Sequence, residues 1–385
     1  MMLLGLILHS AASYTHTPLG DAWPYQDAQT SRLFDGVVFV IHLFRMPAFF
    51  VMAGFFAAFL YARDSAAGFL KHRVRRILLP FAAAWIVTAP AIASGFFAAH
   101  ARQSGWDRAV ALVTGPGADT APNTMHLWFL YYLLIFCVGA ALLMPLVRRV
   151  PARLRAAFAR ALRAAGTGIA GLLVMSAVTT ATLVPMAVPA LETSVSFLPA
   201  VRVLAAYAVF FGYGWLLFTN RDRLPAFAVR PWTHFGAAIG LSVAYMSIVQ
   251  NPSLTPEVRH YAGIITAGAA MWLFVFAWIG IFVRYFASPR PVQRYLADGS
   301  YWIYLVHLPF TIWFPALLAP VAVPAIVKFL IVLSGTTLAT VLSYHYFVRN
   351  TWIGVLLNGR RYPRAWPAAP AATPGAWSAG PLGPA

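Results

Sequence analysis

Ionisable side chains stand inside apolar stretches of this sequence, where they are costly and are therefore candidates for function. His9 ends the apolar run LLGLIL near the N-terminus. A histidine with a pKa near neutrality can take a proton from a hydroxyl group, so His9 is a candidate general base. The alternative is an interfacial histidine that serves only as a hydrogen-bonding group.

A second such stretch reads FVIHLFRMPAFFVMAGFF and contains His42 and Arg45. The two residues are three apart, so a helix would place them on one face. Pro47 and Gly54 loosen that helix and allow polar groups to face an internal cavity. Arg45 could then bind a phosphate, a carboxylate or an oxyanion. The structural alternative for Arg45 is a partner for a helix C-terminus or for Asp35.

Two later stretches each contain a histidine. His126 opens the run HLWFLYYLLIF, and His307 follows Tyr304 in YWIYLVHLPF. His307 falls at the middle of its apolar run, which makes a purely interfacial role harder to sustain than for His126. No acidic residue falls at mid-run, so the carboxylate relays of many ion-driven transporters are not predicted. No metal-binding or nucleotide-binding motif occurs, and a metal site is not expected.

The segment KHRVRRILLPF gathers basic residues at the start of another apolar run. Three of them, Lys71, Arg73 and Arg76, are called the basic cluster below. They would bind the phosphates of a donor such as coenzyme A through charge-assisted hydrogen bonds. Anchoring to anionic lipid headgroups is the alternative and the more common use of such clusters.

The composition indicates which elements hold these residues. Of 385 residues, 61% are hydrophobic and 10% are charged, whereas a soluble domain is about 25% charged. A membrane-spanning helix needs about 20 apolar residues. Nine such runs lie near residues 36–61, 77–98, 127–147, 168–190, 199–218, 232–250, 261–283, 299–318 and 325–346. The N-terminal run is too short to span and is interpreted as half of a tenth helix. The predicted fold is therefore an all-α, polytopic membrane bundle of about ten helices.

Basic residues are concentrated between alternate spans. The formal net charge is +18, from 28 lysines and arginines against 10 acidic residues. Their alternation follows the positive-inside rule and predicts cytoplasmic N- and C-termini. It favours membrane lipids and an anionic cofactor, rather than nucleic acid, as partners. Residues 1–350 are interpreted as one membrane domain, and residues 351–385, rich in Pro, Ala and Gly, as a disordered cytoplasmic tail.

The predicted outer loops at 13–35 and 99–126 mix aromatic and acidic residues, among them Trp23 and Asp27. Such residues suit stacking and hydrogen bonding to carbohydrate. They equally suit the aromatic belt at a membrane interface. The single cysteine, Cys137, excludes an intrachain disulfide and is interpreted as a packing residue.

The sequence resembles the integral membrane acyltransferase family 3, in particular its glucan-biosynthesis branch. The resemblance rests on four stretches that occur in the family's order: MLLGLILHSA, HLFRMPAFFVMAGFF with KHRVRRILLPF, HLWFLYYLL and SYWIYLVHLPF. It extends to about residue 350 and implies an O-acyltransferase with about ten spans in a bacterial inner membrane. Such enzymes move an acyl group, often acetyl or succinyl, from cytoplasmic acyl-CoA to a hydroxyl of a sugar or glycan at the outer face. No permanently bound cofactor is implied.

The resemblance also assigns residues. His9 matches the family's first-helix histidine, which is held essential for transfer. Arg73 and Arg76 match an Arg-x-x-Arg signature proposed to meet the donor. Three further residues match motif positions: Arg45 in the glucan branch, and His126 and His307 without a specified role.

One departure concerns the start of the chain. The family carries an Asp and an Arg upstream of the first histidine on the same helix, and only eight residues precede His9. A coding start upstream of Met1 would restore both residues, and this is the expectation. An impaired, non-catalytic relative is the alternative.

The resulting hypothesis assigns the donor phosphates to the basic cluster and proton abstraction to His9. Arg45 or His42 would donate a hydrogen bond to the oxyanion. A transporter or exporter of a glycan or lipid-linked sugar is the rival from another class, because it also accounts for the spans and the aromatic loops.

Overall fold

The computed structural model describes residues 2–115, 122–288 and 290–366. Within these ranges the chain is helical and contains no β-strand, which confirms the predicted all-α class. The α-helices are α1 Met2–Ala12, α2 Arg32–Arg63, α3 Ala66–Arg73, α4 Leu79–Ser104, α5 Trp106–Thr114, α6 Trp128–Arg149, α7 Ala152–Ala165, α8 Gly168–Leu183, α9 Val201–Thr219, α10 Leu224–Phe227, α11 Pro231–Val249, α12 Pro256–Tyr285, α13 Pro291–Leu318, α14 Ala325–Ser343 and α15 Trp352–Asn358. Short π-helical segments, Val74–Leu78 and Tyr344–Val348, continue α3 into α4 and extend α14.

Eight helical segments of the described ranges are long and apolar enough to cross a membrane. They are Arg32–Arg63, Ala66–Ser104, Met125–Arg149, Val201–Thr219, Pro231–Val249, Pro256–Tyr285, Pro291–Leu318 and Ala325–Val348. Each overlaps one predicted span. α1 and α8 are also apolar but shorter, with 11 and 16 residues. The prediction of a polytopic membrane protein is confirmed.

The span predicted at 168–190 is too long. α8 ends at Leu183, and an irregular loop, called the 184–200 loop below, connects it to α9. Pro185 and Pro189 account for the difference. Proline lacks the N–H group that a helix interior needs, and its ring clashes with the preceding turn.

The connections between helices gather at two ends of the bundle. At one end Arg76 Nη1 donates to the carbonyl oxygen of Val355 at 3.1 Å. At the other end the N–H of Thr124 donates to the carbonyl oxygen of Val195 at 2.7 Å. The first, called the arginine end, carries Arg73, Arg76, Arg148, Arg149, Arg221 and Arg223. The second, called the loop end, carries residues 13–31 and the 184–200 loop.

Two glycines let α2 and α9 pack backbone against backbone. A Cβ on Gly54 would meet the carbonyl oxygen of Phe211, and a Cβ on Gly214 would meet that of Val51. Small residues are typical of such crossings in membranes, where close van der Waals contact replaces the hydrophobic drive that water provides. The contact fixes α2, and with it Arg45, against α9.

The chain after residue 350 forms more structure than predicted. Arg76 Nη1 donates to the carbonyl oxygens of Val355 and Leu356 at 3.1 and 2.9 Å, near the C-terminus of α15. That helix ends at Asn358 and is followed by Gly359, whose φ of +85° suits a residue without a Cβ. The predicted disorder from residue 351 therefore does not apply to α15, because the apolar sequence WIGVLLN precedes the Pro- and Ala-rich composition. Residues 367–385 lie outside the described ranges.

Candidate active site

Three histidines from distant parts of the chain meet inside the bundle, towards the loop end. His9 lies on α1, His126 in the 3-10 turn before α6, and His307 on α13. The ring centroid of His307 is 5.3 Å from that of His9 and 5.5 Å from that of His126. His307 is only 1% exposed. The structure thus brings these predicted motif positions together as one group, called the histidine cluster below.

Hydrogen bonds determine which ring nitrogens carry protons. His307 Nδ1 donates to the carbonyl oxygen of Tyr304 at 2.8 Å, and His126 Nε2 donates to that of Leu305 at 3.1 Å. Because a carbonyl oxygen only accepts, the other nitrogen of each neutral ring is left with a lone pair. His307 Nε2 and His126 Nδ1 are buried and have no hydrogen-bond partner among the described residues. The cluster therefore offers proton acceptors in its interior.

The described residues contain no group of three or more His, Cys, Asp or Glu side chains placed to hold one metal ion.

Arg45 reaches the same place from α2. Its Nη1 atom lies 2.9 Å from the position that a Cβ on Gly5 would occupy, and His307 Nε2 lies 3.7 Å from that position. Gly5 is one turn before His9 on α1, so the missing side chain makes room for the guanidinium group beside the cluster. Arg45 Nε is buried without a hydrogen-bond partner, and no carboxylate of the described ranges pairs with this arginine. Its donors are available to an anionic or carbonyl oxygen.

Tyr304 holds the turn that carries His126. Its hydroxyl group donates to the carbonyl oxygen of His126 at 2.8 Å. Met125, the preceding residue, has a φ of +49°, and its N–H donates to Asn123 Oδ1 at 2.9 Å. A non-glycine residue with positive φ is strained and persists where surrounding contacts enforce it, often at functional sites. Tyr304, predicted as a motif position, therefore supports the site through the backbone.

His42 lies near the site, within electrostatic range of His9 and Arg45. It precedes Arg45 by three residues on α2 and is half-buried. Among the described residues its ring makes no contact with the rings of the cluster. Arg45, one turn further along the same helix face, reaches the space beside Gly5 and His307. Arg45 is therefore the better-placed of the two predicted oxyanion donors.

Two residues of the site were not assigned from the sequence. Trp23 stacks on His9 with ring centroids 5.6 Å apart and planes 22° apart. It is 6% exposed, so it is neither a carbohydrate platform nor a belt residue at the interface. Gly5 is the other. A glycine inside an apolar helical run is a signal of close approach by a neighbour, whereas nothing in the sequence points from Trp23 to His9.

The basic cluster lies at the arginine end. Arg73 is buried, its guanidinium carbon lies 5.1 Å from the ring centre of Phe69, and its Nε and Nη2 atoms have no partner among the described residues. Arg76 is held by carbonyl oxygens of α15, and Tyr301 donates to its backbone oxygen at 2.9 Å. Lys71 is exposed. The predicted donor residues thus lie on the arginine-end side of the histidine cluster, and Tyr301, which contacts Arg76, is six residues before His307 on α13.

The site places imidazole lone pairs beside an unpaired guanidinium group inside a membrane bundle. Such a pairing provides a proton acceptor and an oxyanion donor, which transfer of a group to a hydroxyl requires. Fold and site together are those of a membrane-embedded group-transfer enzyme.

Comparison with known proteins specifies the class. The family model described as "Acyltransferase domain" matches residues 1–345, and the chain belongs to this family. It is a membrane acyltransferase, as the resemblance implied. Glucans biosynthesis protein C of Salmonella gallinarum is 26% identical over 376 residues, covering 94% of this chain and 92% of its own length. The proteins of the same name from Salmonella paratyphi A and Salmonella agona are each 25% identical over 373 residues, with the same coverage. No solved structure matches the chain.

Proposed function

We propose that the protein moves an acyl group, acetyl or succinyl, from cytoplasmic acyl-CoA to a hydroxyl group of a glycan at the outer face of a bacterial inner membrane. The observation that carries the proposal is the meeting of His9, His307 and Arg45 inside the bundle. The name of these relatives supports a glucan-like acceptor. The many arginines of the arginine end support its placement in the cytoplasm.

The proposed chemistry uses His9 and Arg45. His9 removes the proton of the acceptor hydroxyl as the hydroxyl oxygen attacks the carbonyl carbon of the thioester. Arg45 donates hydrogen bonds to the carbonyl oxygen while that oxygen carries negative charge. The new C–O bond is kept, the C–S bond breaks, and the thiolate of coenzyme A takes up the proton from the imidazolium group.

Donor binding is proposed for the basic cluster. Arg73 contributes buried guanidinium donors without a partner among the described residues, and these suit a phosphate group. Lys71 adds an exposed charge at the same end. Arg76 already binds the carbonyl oxygens of α15, so we expect it to contact the donor only after α15 moves away. The acyl-pantetheine arm would reach the histidine cluster between the spans.

The test is His9→Ala in the full chain, with purified protein in lipid vesicles and radiolabelled acetyl-CoA as donor. We expect acyl transfer to a glucan to fall by about 10²- to 10⁴-fold, since that is the usual contribution of a general base. His260→Ala is the matched control, because His260 lies at the loop end and contacts the backbone of Val184 rather than the cluster.

Wild-type transfer by His9→Ala would contradict the role of His9. A wild-type protein with neither acyl transfer nor a coenzyme A-dependent thermal shift would contradict the proposed donor.

A further inference from the structure

A buried ion pair joins the N-terminal loop to a distant spanning helix. Lys328 Nζ on α14 donates to both carboxylate oxygens of Asp27, at 2.8 and 2.9 Å. The side chains are 1% and 0% exposed. Two charges removed from water carry a large desolvation penalty, which only close and complete pairing offsets. The loop that contains Asp27 is therefore held in one position against α14.

Further hydrogen bonds make Asp27 the centre of loop 13–31. Its N–H donates to the carbonyl oxygen of Ser13 at 2.8 Å, and the N–H of Gln29 donates to Asp27 Oδ1 at 2.8 Å. The hydroxyl group of Tyr25 donates to Asp27 Oδ2 at 3.4 Å. Burial, together with the charge of Asp27, raises the pKa of Tyr25, so this hydroxyl remains a donor.

Loop 13–31 contacts the imidazole ring of His9 through Trp23. Trp23 Nε1 donates to Ser13 Oγ at 2.9 Å, and the indole stacks on His9 while its edge packs against Phe96 at 5.3 Å between centroids. Ser13 thus accepts hydrogen bonds from both the indole N–H of Trp23 and the backbone N–H of Asp27. A short series of contacts runs from the ion pair to the candidate base.

His9 needs such support because its own hydrogen bonds do not orient it. Its Nδ1 atom is buried without a partner among the described residues. In many enzymes a carboxylate bound to the second nitrogen holds a catalytic histidine in place. The buried carboxylate of this region, Asp27, is instead bound by Lys328. The imidazole ring of His9 lies between the rings of Trp23 and His307, and these two contacts hold it in place.

We propose that Trp23, held by Ser13 and by the Asp27–Lys328 ion pair, is a positioning residue that fixes the imidazole of His9 and shields it from water. The inference rests on the proposed function, in which His9 is the base. Trp23 does not contact the basic cluster, where the phosphates of the donor are proposed to bind. Its loss should therefore act on the rate of the chemical step rather than on donor affinity.

The first test compares kcat and the KM for acetyl-CoA in Trp23→Ala, Trp23→Phe and Ser13→Ala. A misplacement of about 1 Å costs about 100-fold in rate, so we expect kcat of Trp23→Ala to fall by about that factor at unchanged KM. Trp23→Phe retains an aromatic ring and should recover part of the rate. Ser13→Ala removes one hydrogen bond and should lower kcat by about tenfold.

Trp106→Ala is the matched control, because Trp106 is exposed and packs on Phe97, away from His9. It should leave kcat and KM unchanged.

The second test does not depend on turnover. Diethyl pyrocarbonate modifies neutral, accessible imidazole rings, and mass spectrometry of the His9 peptide gives the rate. We expect slow modification of wild type and faster modification of Trp23→Ala and Lys328→Met. Lys328→Arg retains the charge and should stay close to wild type. Asp222→Asn, which breaks the exposed Arg163–Asp222 pair at the other end, should have no effect.

The outcomes separate the two proposals. Loss of activity in His9→Ala together with wild-type kcat in both Trp23→Ala and Ser13→Ala overturns the positioning role alone. Full activity in His9→Ala overturns the proposed function and the positioning role with it. If Trp23→Ala does not accumulate, Ser13→Ala decides, since alanine fits the space of serine. Unchanged modification of His9 in every variant also overturns the inference.

Discussion

Gly5→Ala tests whether the space beside α1 is needed for catalysis. An alanine Cβ would lie 2.9 Å from Arg45 Nη1, whereas ordinary contact begins at 3.4 Å, so the guanidinium group must move by about 0.5 Å or more. The obstacle is the end of a flexible side chain, so the fold can adapt. Overpacking costs about 1–3 kcal/mol, and replacing glycine in a helix returns about 0.5–1 kcal/mol. The free energy of unfolding should therefore fall by no more than about 2.5 kcal/mol.

Activity should suffer more than stability. Since a displacement of about 1 Å at a reacting group costs about 100-fold, a shift of half that size should lower kcat by about tenfold or more. The KM for acetyl-CoA should not change, because the phosphates of the donor are proposed to bind the basic cluster, which includes neither Gly5 nor Arg45. The assay is the initial rate of acyl transfer in vesicles, with thermal unfolding measured on the same samples.

Gly139→Ala is the control for this substitution, because a Cβ there meets no atom within 4 Å. It should retain full activity. A Gly5→Ala protein with the kcat of wild type would refute the reasoning that Arg45 must lie against α1. An equal loss of activity in Gly139→Ala would show that the effect is not specific to the site.

Two further substitutions test the elements around the site. Tyr304→Phe removes the hydroxyl group that donates to the backbone oxygen of His126. The free energy of unfolding, measured by thermal unfolding, should fall by about 1 kcal/mol. Initial rates should show a lower kcat at unchanged KM for acetyl-CoA. Wild-type kcat in this variant would mean that the turn does not need the hydroxyl group. Gly54→Ala directs a Cβ into the backbone oxygen of Phe211, which no side-chain rotation relieves, so the protein should be destabilised by about 3 kcal/mol or fail to accumulate in the membrane. Gly36→Ala, on the same helix but with open space around it, should accumulate normally, and equal behaviour of the two variants would contradict the proposed packing.

The membrane-spanning helices could be predicted because length and apolar composition are local properties. The prediction was wrong where a local sequence signal opposes the average composition. Apolar residues continue past Leu183, but Pro185 and Pro189 end the helix there. The average composition of the tail predicts disorder, but the apolar sequence of α15 lies at its start.

The candidate site could be predicted only in part. Resemblance to a family pointed to His9, His126 and His307, and the structure shows that they meet. The roles of Trp23 and Lys328 could not be predicted, because each depends on a contact between elements far apart in sequence. The periodicity and spacing of residues within one helix do not indicate a contact with a distant element.

The distance in sequence between Asp27 and Lys328 has a consequence for the synthesis of the protein. The two residues are 301 positions apart, and membrane proteins are made and inserted from the N-terminus onwards. α1, loop 13–31 and α2 therefore exist long before α14 supplies the lysine. Until that moment the carboxylate lacks this partner, and we expect Trp23 not to be held over His9. We expect a chain that ends before α14 to be inactive, because breaking a buried ion pair by removing one partner is strongly destabilising. The ion pair thus makes the reactivity of the first helix conditional on completion of the last long span.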